Sequence, residues 1–155
     1  MSISANDLEE STLFYIEVFG AAAIPTPNFD APTQWLRLGD LQLHLFQRSG
    51  VSAPTYHHIA FAVDDFEAVF RIAQKRGILD HTTFGTHLRE IPGNTVQMYI
   101  RDPAGNAVEV NGPDATGLDS SIRREMTRLA DTFPQSAENL KGILYLEPRV
   151  GHGAS

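Results

Sequence analysis

Cysteine is absent from the 155-residue chain. Disulfides and thiolate metal sites are therefore excluded, and any metal must be held by His, Asp or Glu. Basic residues are few: 12 Lys and Arg stand against 19 Asp and Glu, for a formal charge of −7. A surface that follows nucleic-acid phosphates is not expected. No apolar run approaches the ~20 residues that cross a bilayer. The opening Met1–Asp7 has neither the basic nor the apolar region of a secretory signal. Neither a nucleic acid nor a membrane is expected as partner, and a cytoplasmic location is the default. What is present is 42% hydrophobic and 20% charged, the balance of one globular domain with a sizeable core.

One stretch, Gln97–Asn111, organises the rest. Val96, Met98 and Ile100 alternate with Gln97, Tyr99 and Arg101, the period of a strand. Asp102-Pro103-Ala104-Gly105 then turns the chain, with Pro presetting φ and Gly free to take φ > 0. A second strand follows, with Val108 and Val110 on one face and Ala107 and Glu109 on the other. A carboxylate flanked by valines and beside a small Ala suits a cavity better than a plain core. As a non-packing residue, Glu109 is expected to be removable at little cost in stability.

The pattern Met98-Tyr99-x-x-Asp102-Pro103-x-Gly105-x-x-x-Glu109 resembles the C-terminal part of the extradiol dioxygenase signature. More broadly it resembles the vicinal oxygen chelate superfamily of glyoxalases, bleomycin-resistance proteins and ring-cleaving dioxygenases. The resemblance implies that Glu109 is a metal ligand and that Tyr99 lies beside the substrate. Gly85-Thr86-His87 resembles the opening of the same signature and makes His87 a candidate acid/base, although the gap from His87 to Met98 is longer than the signature's.

Read in order, Asp7 and Glu10 open a helix in the manner of a capping box. It carries Leu8, Thr12, Tyr15, Ile16 and Phe19 on one stripe, and Gly20 ends it. Gln34–Leu38 and Leu41–Phe46 alternate as strands about a Gly39-Asp40 turn, and residues 48–54 read as a linker. His58–Val63 is the next strand, and Asp65 opens a helix over about 65–76 that ends at Gly77. The stretch from His81 to Pro92 is a loop or weak strand. The two halves repeat. The fold class is therefore α+β: module one over 1–49, module two over 57–112, and an extension over 113–155. Two βαβββ modules curled into an incomplete barrel are what the resemblance implies. Asp119 starts a third helix over about 119–131, with Leu118, Ile122, Met126, Leu129 and Phe133 along one side. Ile143–Leu146 is a further short strand or helix.

In each strand an aliphatic face should meet the helices. The opposite, concave face collects Trp35, Arg37, His44, Phe46, His58, Tyr99, Arg101 and Glu109. Two imidazoles and a carboxylate from three strands match the 2-His-1-carboxylate triad of non-haem Fe(II). Mn2+, Zn2+ and Ni2+ suit the same donors. By resemblance, His58 is the ligand of the first strand of module two, and His44 holds the place symmetric to Glu109. The family's first-strand ligand in module one has no counterpart, because residues 1–6 contain no His, Asp or Glu. Trp35, Arg37, Phe46 and Arg101 are candidate substrate contacts.

The reading is a metal-dependent enzyme that chelates vicinal oxygens of a small substrate, dioxygenase-like. The alternatives are a glyoxalase-type lyase or isomerase, and a non-catalytic protein that sequesters a drug or metabolite. A homodimer is expected, because half-barrel sheets leave edges exposed and the Leu118–Phe133 stripe is not needed by the two-module core.

Overall fold

The structure, a computed structural model, describes residues 1–145. Module one contains β1 (Ser2–Ala5), α1 (Leu8–Phe19), β2 (Ala22–Ile24), β3 (Thr33–Leu38) and β4 (Leu41–Gln47). Module two contains β5 (His58–Ala62), α2 (Phe66–Arg76), β6 (Leu88–Ile91), β7 (Thr95–Arg101) and β8 (Ala107–Gly112). The extension adds α3 (Ser120–Glu125), β9 (Thr127–Arg128), α4 (Leu129–Thr132) and a 3-10 turn, Asn139–Lys141.

Both long helices are capped as their sequences dictate. The Asp7 carboxylate accepts from the Glu10 N–H and that of Asp65 from the Ala68 N–H, each at 2.9 Å. At the far ends, Gly20 and Gly77 take φ of 67° and 66° and return their N–H groups to the last turn. The buried side of α1 is Ser11, Phe14, Tyr15 and Val18, with Leu8, Ile16 and Phe19 only partly covered. The stripe is thus rotated from the expected one, and Thr12 lies off it. Tyr15 and Phe19, both on the expected stripe, reach across to Phe61 of the second module, with ring centroids 6.3 and 5.0 Å apart.

The strands form two open sheets, ordered β1-β4-β3-β2 and β5-β8-β7-β6-β9. In each module the first strand runs parallel to the last and the remaining pairs of that module are antiparallel. The register makes the internal repeat explicit. Ser2 lies opposite His44 as Ala60 lies opposite Glu109, and Trp35 faces His44 as Tyr99 faces Glu109. His44 therefore holds the place in module one that Glu109 holds in module two. The opposite sheet faces, through Leu36, Leu43, Leu45, Met98, Ile100, Val108 and Val110, join the helices in one core.

The Asp-Pro-Ala-Gly turn is also the latch between modules. Asp102 is buried, and its carboxylate accepts from the Tyr15 hydroxyl at 2.9 Å and from the Asn106 side chain at 2.8 Å. Asn106 donates in addition to the Ser4 carbonyl of β1 at 2.9 Å. Within the turn, the same carboxylate accepts from the N–H groups of Ala104 and Asn106. Gly105 takes φ 82°.

The extension departs from expectation. The helix foreseen over 119–131 ends at Glu125, because Thr127 and Arg128 pair in parallel with Arg89 and Glu90 of β6. Edge pairing satisfies backbone groups that a helix end would have left open. Leu118 and Ile122 enter the core and Met126 packs against it, while Phe133 stays exposed. Of the stretch around Ile143, Leu146 lies outside the described residues, as does His152.

Candidate functional site

Strand register places His58, Ala60 and Ala62 of β5 on the face that carries Glu109 and Asn111 of β8 and Gln97, Tyr99 and Arg101 of β7. His58 Nε2 lies 3.5 Å from Glu109 Oε2. The other ring nitrogen, Nδ1, lies 2.9 Å from the Tyr56 carbonyl oxygen. A carbonyl can only accept, so Nδ1 carries a hydrogen and Nε2 faces the carboxylate. Nε2 and Oε2 are thus two donor atoms turned toward each other, an arrangement that can take a metal ion between them.

Glu109 is buried, with 6% of its surface exposed, yet it is well supplied with donors. Its Oε1 accepts from Gln97 Nε2 at 3.1 Å and from Asn111 Nδ2 at 2.8 Å. Burial, followed by the charge of Glu109 and a hydrogen bond to it, raises Tyr99 well above the usual phenol value. Tyr99 is therefore a hydrogen-bond donor at physiological pH and not a base. Phe84 stacks on its ring at 4.1 Å and stands edge-on to His58 at 5.4 Å, walling one side of the pair.

The loop that carries Phe84 is held by Asp80. This buried carboxylate accepts from Thr82 N–H and hydroxyl, Thr83 N–H, and Arg101 Nε at 2.8 Å. Arg101 also donates to the Gly105 carbonyl and the Thr83 hydroxyl. Its guanidinium is thus engaged by the protein, with 33% of the side chain exposed. Desolvation raises the Asp80 carboxyl, but the hydrogen bonds of Thr83 and Thr82 and the charge of Arg101 outweigh it and hold it below the usual 3.8. A depressed carboxyl contributes stability that is present above the unfolded-state value and lost as pH falls through the folded one. Asp80→Asn is expected to flatten the loss of stability below about pH 4, read from denaturation midpoints across pH. An unchanged acid limb would rule Asp80 out as its source.

The other candidates are distributed as follows. His44 does not join His58 and Glu109. It lies in the first sheet, stacked on Trp35 with centroids 4.1 Å apart and planes 7° from parallel, and Gln42 Oε1 is 3.1 Å from its Nε2. Burial lowers its affinity for a proton. Among the described residues no three His, Asp or Glu side chains gather closely enough to hold a metal. The expected convergence of His44, His58 and Glu109 is therefore not achieved within one chain: His44 belongs to the first sheet, His58 and Glu109 to the second. Phe29 packs on Trp35 and Phe46, extending the aromatic surface of module one, and Arg37 is exposed beside it. His87 is turned away from the site. It stacks on Phe70 of α2, and its Nε2 lies 3.3 Å from Glu125 Oε2.

Sequence reasoning does not single out Gln97, Asn111, Phe84 or Asp80. Gln97 and Asn111 are within reach of the alternation rule, being two residues from Tyr99 and Glu109. Phe84 and Asp80 lie in a loop, where no periodicity applies.

A profile of the glyoxalase/bleomycin resistance protein/dioxygenase superfamily matches residues 1–110, and the chain belongs to that superfamily. Among solved structures it is similar to a glyoxalase family protein from Bacillus anthracis, at 24% identity and TM-score 0.56, over 72% of this chain and 89% of that one. It is also similar to lactoylglutathione lyase from Agrobacterium tumefaciens, at 25% identity and TM-score 0.53, over 76% and 94%. The fosfomycin resistance protein FosX of Listeria monocytogenes shares the fold at 17% identity and TM-score 0.59, over 79% and 93%. A glutamate-to-glutamine variant of that FosX was crystallised with Mn(II) and 1S,2S-dihydroxypropylphosphonic acid. Comparison with curated proteins finds no significant match. No helix among the described residues is long and apolar enough to cross a membrane.

Proposed function

We propose that this chain is a metal-dependent enzyme that binds neighbouring oxygens of a small substrate, with His58 and Glu109 as two of the metal ligands. The observation that carries the reading is the facing of His58 Nε2 and Glu109 Oε2 across 3.5 Å. Metal–ligand bonds of about 2.0–2.2 Å meeting at right to tetrahedral angles separate two donor atoms by roughly 3.0–3.5 Å. The 3.5 Å found falls at the end of that range. The donor set fits: an imidazole with its tautomer set by Tyr56 and a carboxylate with one oxygen turned to the gap.

His44 is the third ligand of this proposal, supplied by a second copy of the chain. Within one copy it sits in the place symmetric to Glu109 and is less buried than that carboxylate. A twofold dimer that sets module one of one copy against module two of the other brings the two faces together. Phe133, Leu140, Ile143 and Leu144 offer exposed apolar surface for such an assembly. Fe(II) is the favoured ion for two His and one carboxylate, and the Mn(II) of the FosX variant supports a divalent ion of this kind.

A divalent ion held there supplies Lewis acidity to the paired oxygens of the substrate and, if it is iron, a centre for O2. Tyr99, kept protonated, donates a hydrogen bond to Glu109, while Phe84 packs on the Tyr99 ring and stands edge-on to His58. Dioxygenase-like chemistry is the first reading, resting on the Tyr99–Glu109 motif. Lyase or isomerase chemistry uses the same chelation, and the lyase relative favours it. The aromatic face of Phe29, Trp35, His44 and Phe46 favours the remaining alternative, a sequestering protein without catalysis.

The deciding experiment is elemental analysis of protein purified without added metal, on a fraction whose mass is measured by light scattering. One metal per chain in a dimer is the expected result. A metal-free monomer that binds no added Fe(II), Mn(II) or Zn(II) would remove the proposal.

A further inference from the structure

Two amides hold the same oxygen of Glu109. Gln97 Nε2 and Asn111 Nδ2 both donate to Oε1, at 3.1 and 2.8 Å, and Oε2 is left facing His58. Asn111 is 3% exposed, and its own Oδ1 is buried with no hydrogen-bond partner. A buried acceptor without a donor is destabilising. Turning the amide over would not relieve this, because it would set an oxygen against the Glu109 carboxylate. Asn111 thus keeps an unfavourable orientation whose visible return is the bond to Glu109.

The matching place in module one makes the point again. By register, Thr33 and Phe46 stand where Gln97 and Asn111 stand, around His44 instead of a carboxylate. Paired amides occur in the module with the carboxylate and are missing where the imidazole replaces it. A packing role for Asn111 would not require an amide, as Phe46 shows.

We infer that Gln97 and Asn111 are positioning residues that make Glu109 a one-oxygen ligand. With both amide hydrogens on Oε1, the carboxylate cannot rotate to bring both oxygens to one ion. Its Oε2 is aimed at the point shared with His58. Such a site suits small ions that accept one carboxylate oxygen, as Zn2+, Co2+, Mn2+ and Fe2+ do. It disfavours Ca2+, which takes more oxygens at longer distances and readily uses carboxylates in two-oxygen fashion. This inference rests on the proposed metal site and adds how that site is set and which ions it admits.

The test is Co(II) binding, followed by its visible absorption, in wild type, Gln97→Met and Asn111→Leu, with melting temperatures of the metal-free proteins measured in parallel. Loss of a partner to a metal ligand typically weakens binding about 10–100-fold. That loss is expected in each variant, together with altered Co(II) bands at saturation and a smaller preference for Co(II) over Ca(II). If Asn111→Leu fails to fold, Gln97→Met, at a half-buried position, carries the test alone. Variants that bind Co(II) as wild type does, with the same bands, overturn the inference and leave the metal site standing. A lowered melting temperature with unchanged binding and bands overturns it equally, in favour of plain packing. Wild type that binds no Co(II) refutes the metal site itself, and the inference with it.

Discussion

Glu109→Ala is expected to abolish binding of divalent metal and also to lower the stability of the metal-free protein. The first effect follows from the donor set. Without Oε2, His58 would be the one candidate ligand left in module two's half of the proposed site, and a single imidazole holds an ion weakly. The second effect revises what the sequence suggests, namely a carboxylate that could be removed at little cost. Glu109 is buried and is the acceptor for Gln97 and Asn111, and for the Tyr99 hydroxyl. Alanine would leave these donors without a partner, at about 1–3 kcal/mol for each that water cannot reach. For a chain of this length each kcal/mol lowers the melting temperature by roughly 2–4 °C. Glu109→Gln separates the two effects. It keeps an oxygen to accept from the amides but loses the charge, so metal binding should fall steeply while the melting temperature stays closer to wild type. Calorimetric titration and thermal unfolding of both variants provide the check. Undiminished metal binding in both would remove Glu109 from the ligands.

The contrast between Glu109 and Arg101 shows what strand alternation can and cannot supply. It places both side chains on the concave face, and the register agrees for both. It cannot show that Arg101 is already bonded to Asp80, because Asp80 lies 21 residues away in an irregular loop. His87 misleads for a related reason: a local Gly-x-His resemblance carries no facing information, and the ring rests on Phe70. His44 stands beside Trp35 on β4, as the alternation gives it, but no local pattern says whether two sheets of one chain close on each other. The third helix stops at Glu125, and nothing local announces that stop. The pairing of Thr127 and Arg128 with β6 is a long-range contact, and the apolar spacing from Leu118 to Phe133 continues through it unchanged. The helix caps, the hairpin turn and the His58–Glu109 pairing are legible because each rests on residues near in sequence or on a strict period of two.

The largest loss of stability is expected from Asp102→Ala. The signature turn invites a catalytic reading, yet its carboxylate points into the junction of the two modules. There it accepts from Tyr15 of α1, from the Asn106 side chain that also grips Ser4 of β1, and from two N–H groups of its own turn. Burial raises its carboxyl above the usual value, against the hydrogen bonds of Asn106, Tyr15 and Ala104 that lower it. The folded environment therefore penalises the ionised form. Its hydrogen bonds nevertheless order the turn, and water cannot replace the one from Tyr15, whose ring is fully buried. Alanine would strand that hydroxyl, release Asn106 and loosen the turn that aligns β7 with β8. A loss of about 3–4 kcal/mol is expected, at the upper end for a point change, which lowers the melting temperature by roughly 6–15 °C. Tyr15→Phe removes one bond from the same latch without opening a cavity and should cost about 1 kcal/mol. Because the carboxyl is raised, the contribution of Asp102 to wild-type stability falls as pH rises from the unfolded-state value through the folded one. The gap between wild type and Asp102→Ala should narrow over that interval and then level off. Urea denaturation of both proteins across pH, followed by circular dichroism, measures the gap. A difference below about 1 kcal/mol at every pH would show that the latch is dispensable and that the Tyr15, Phe19 and Phe61 contacts alone hold the modules together.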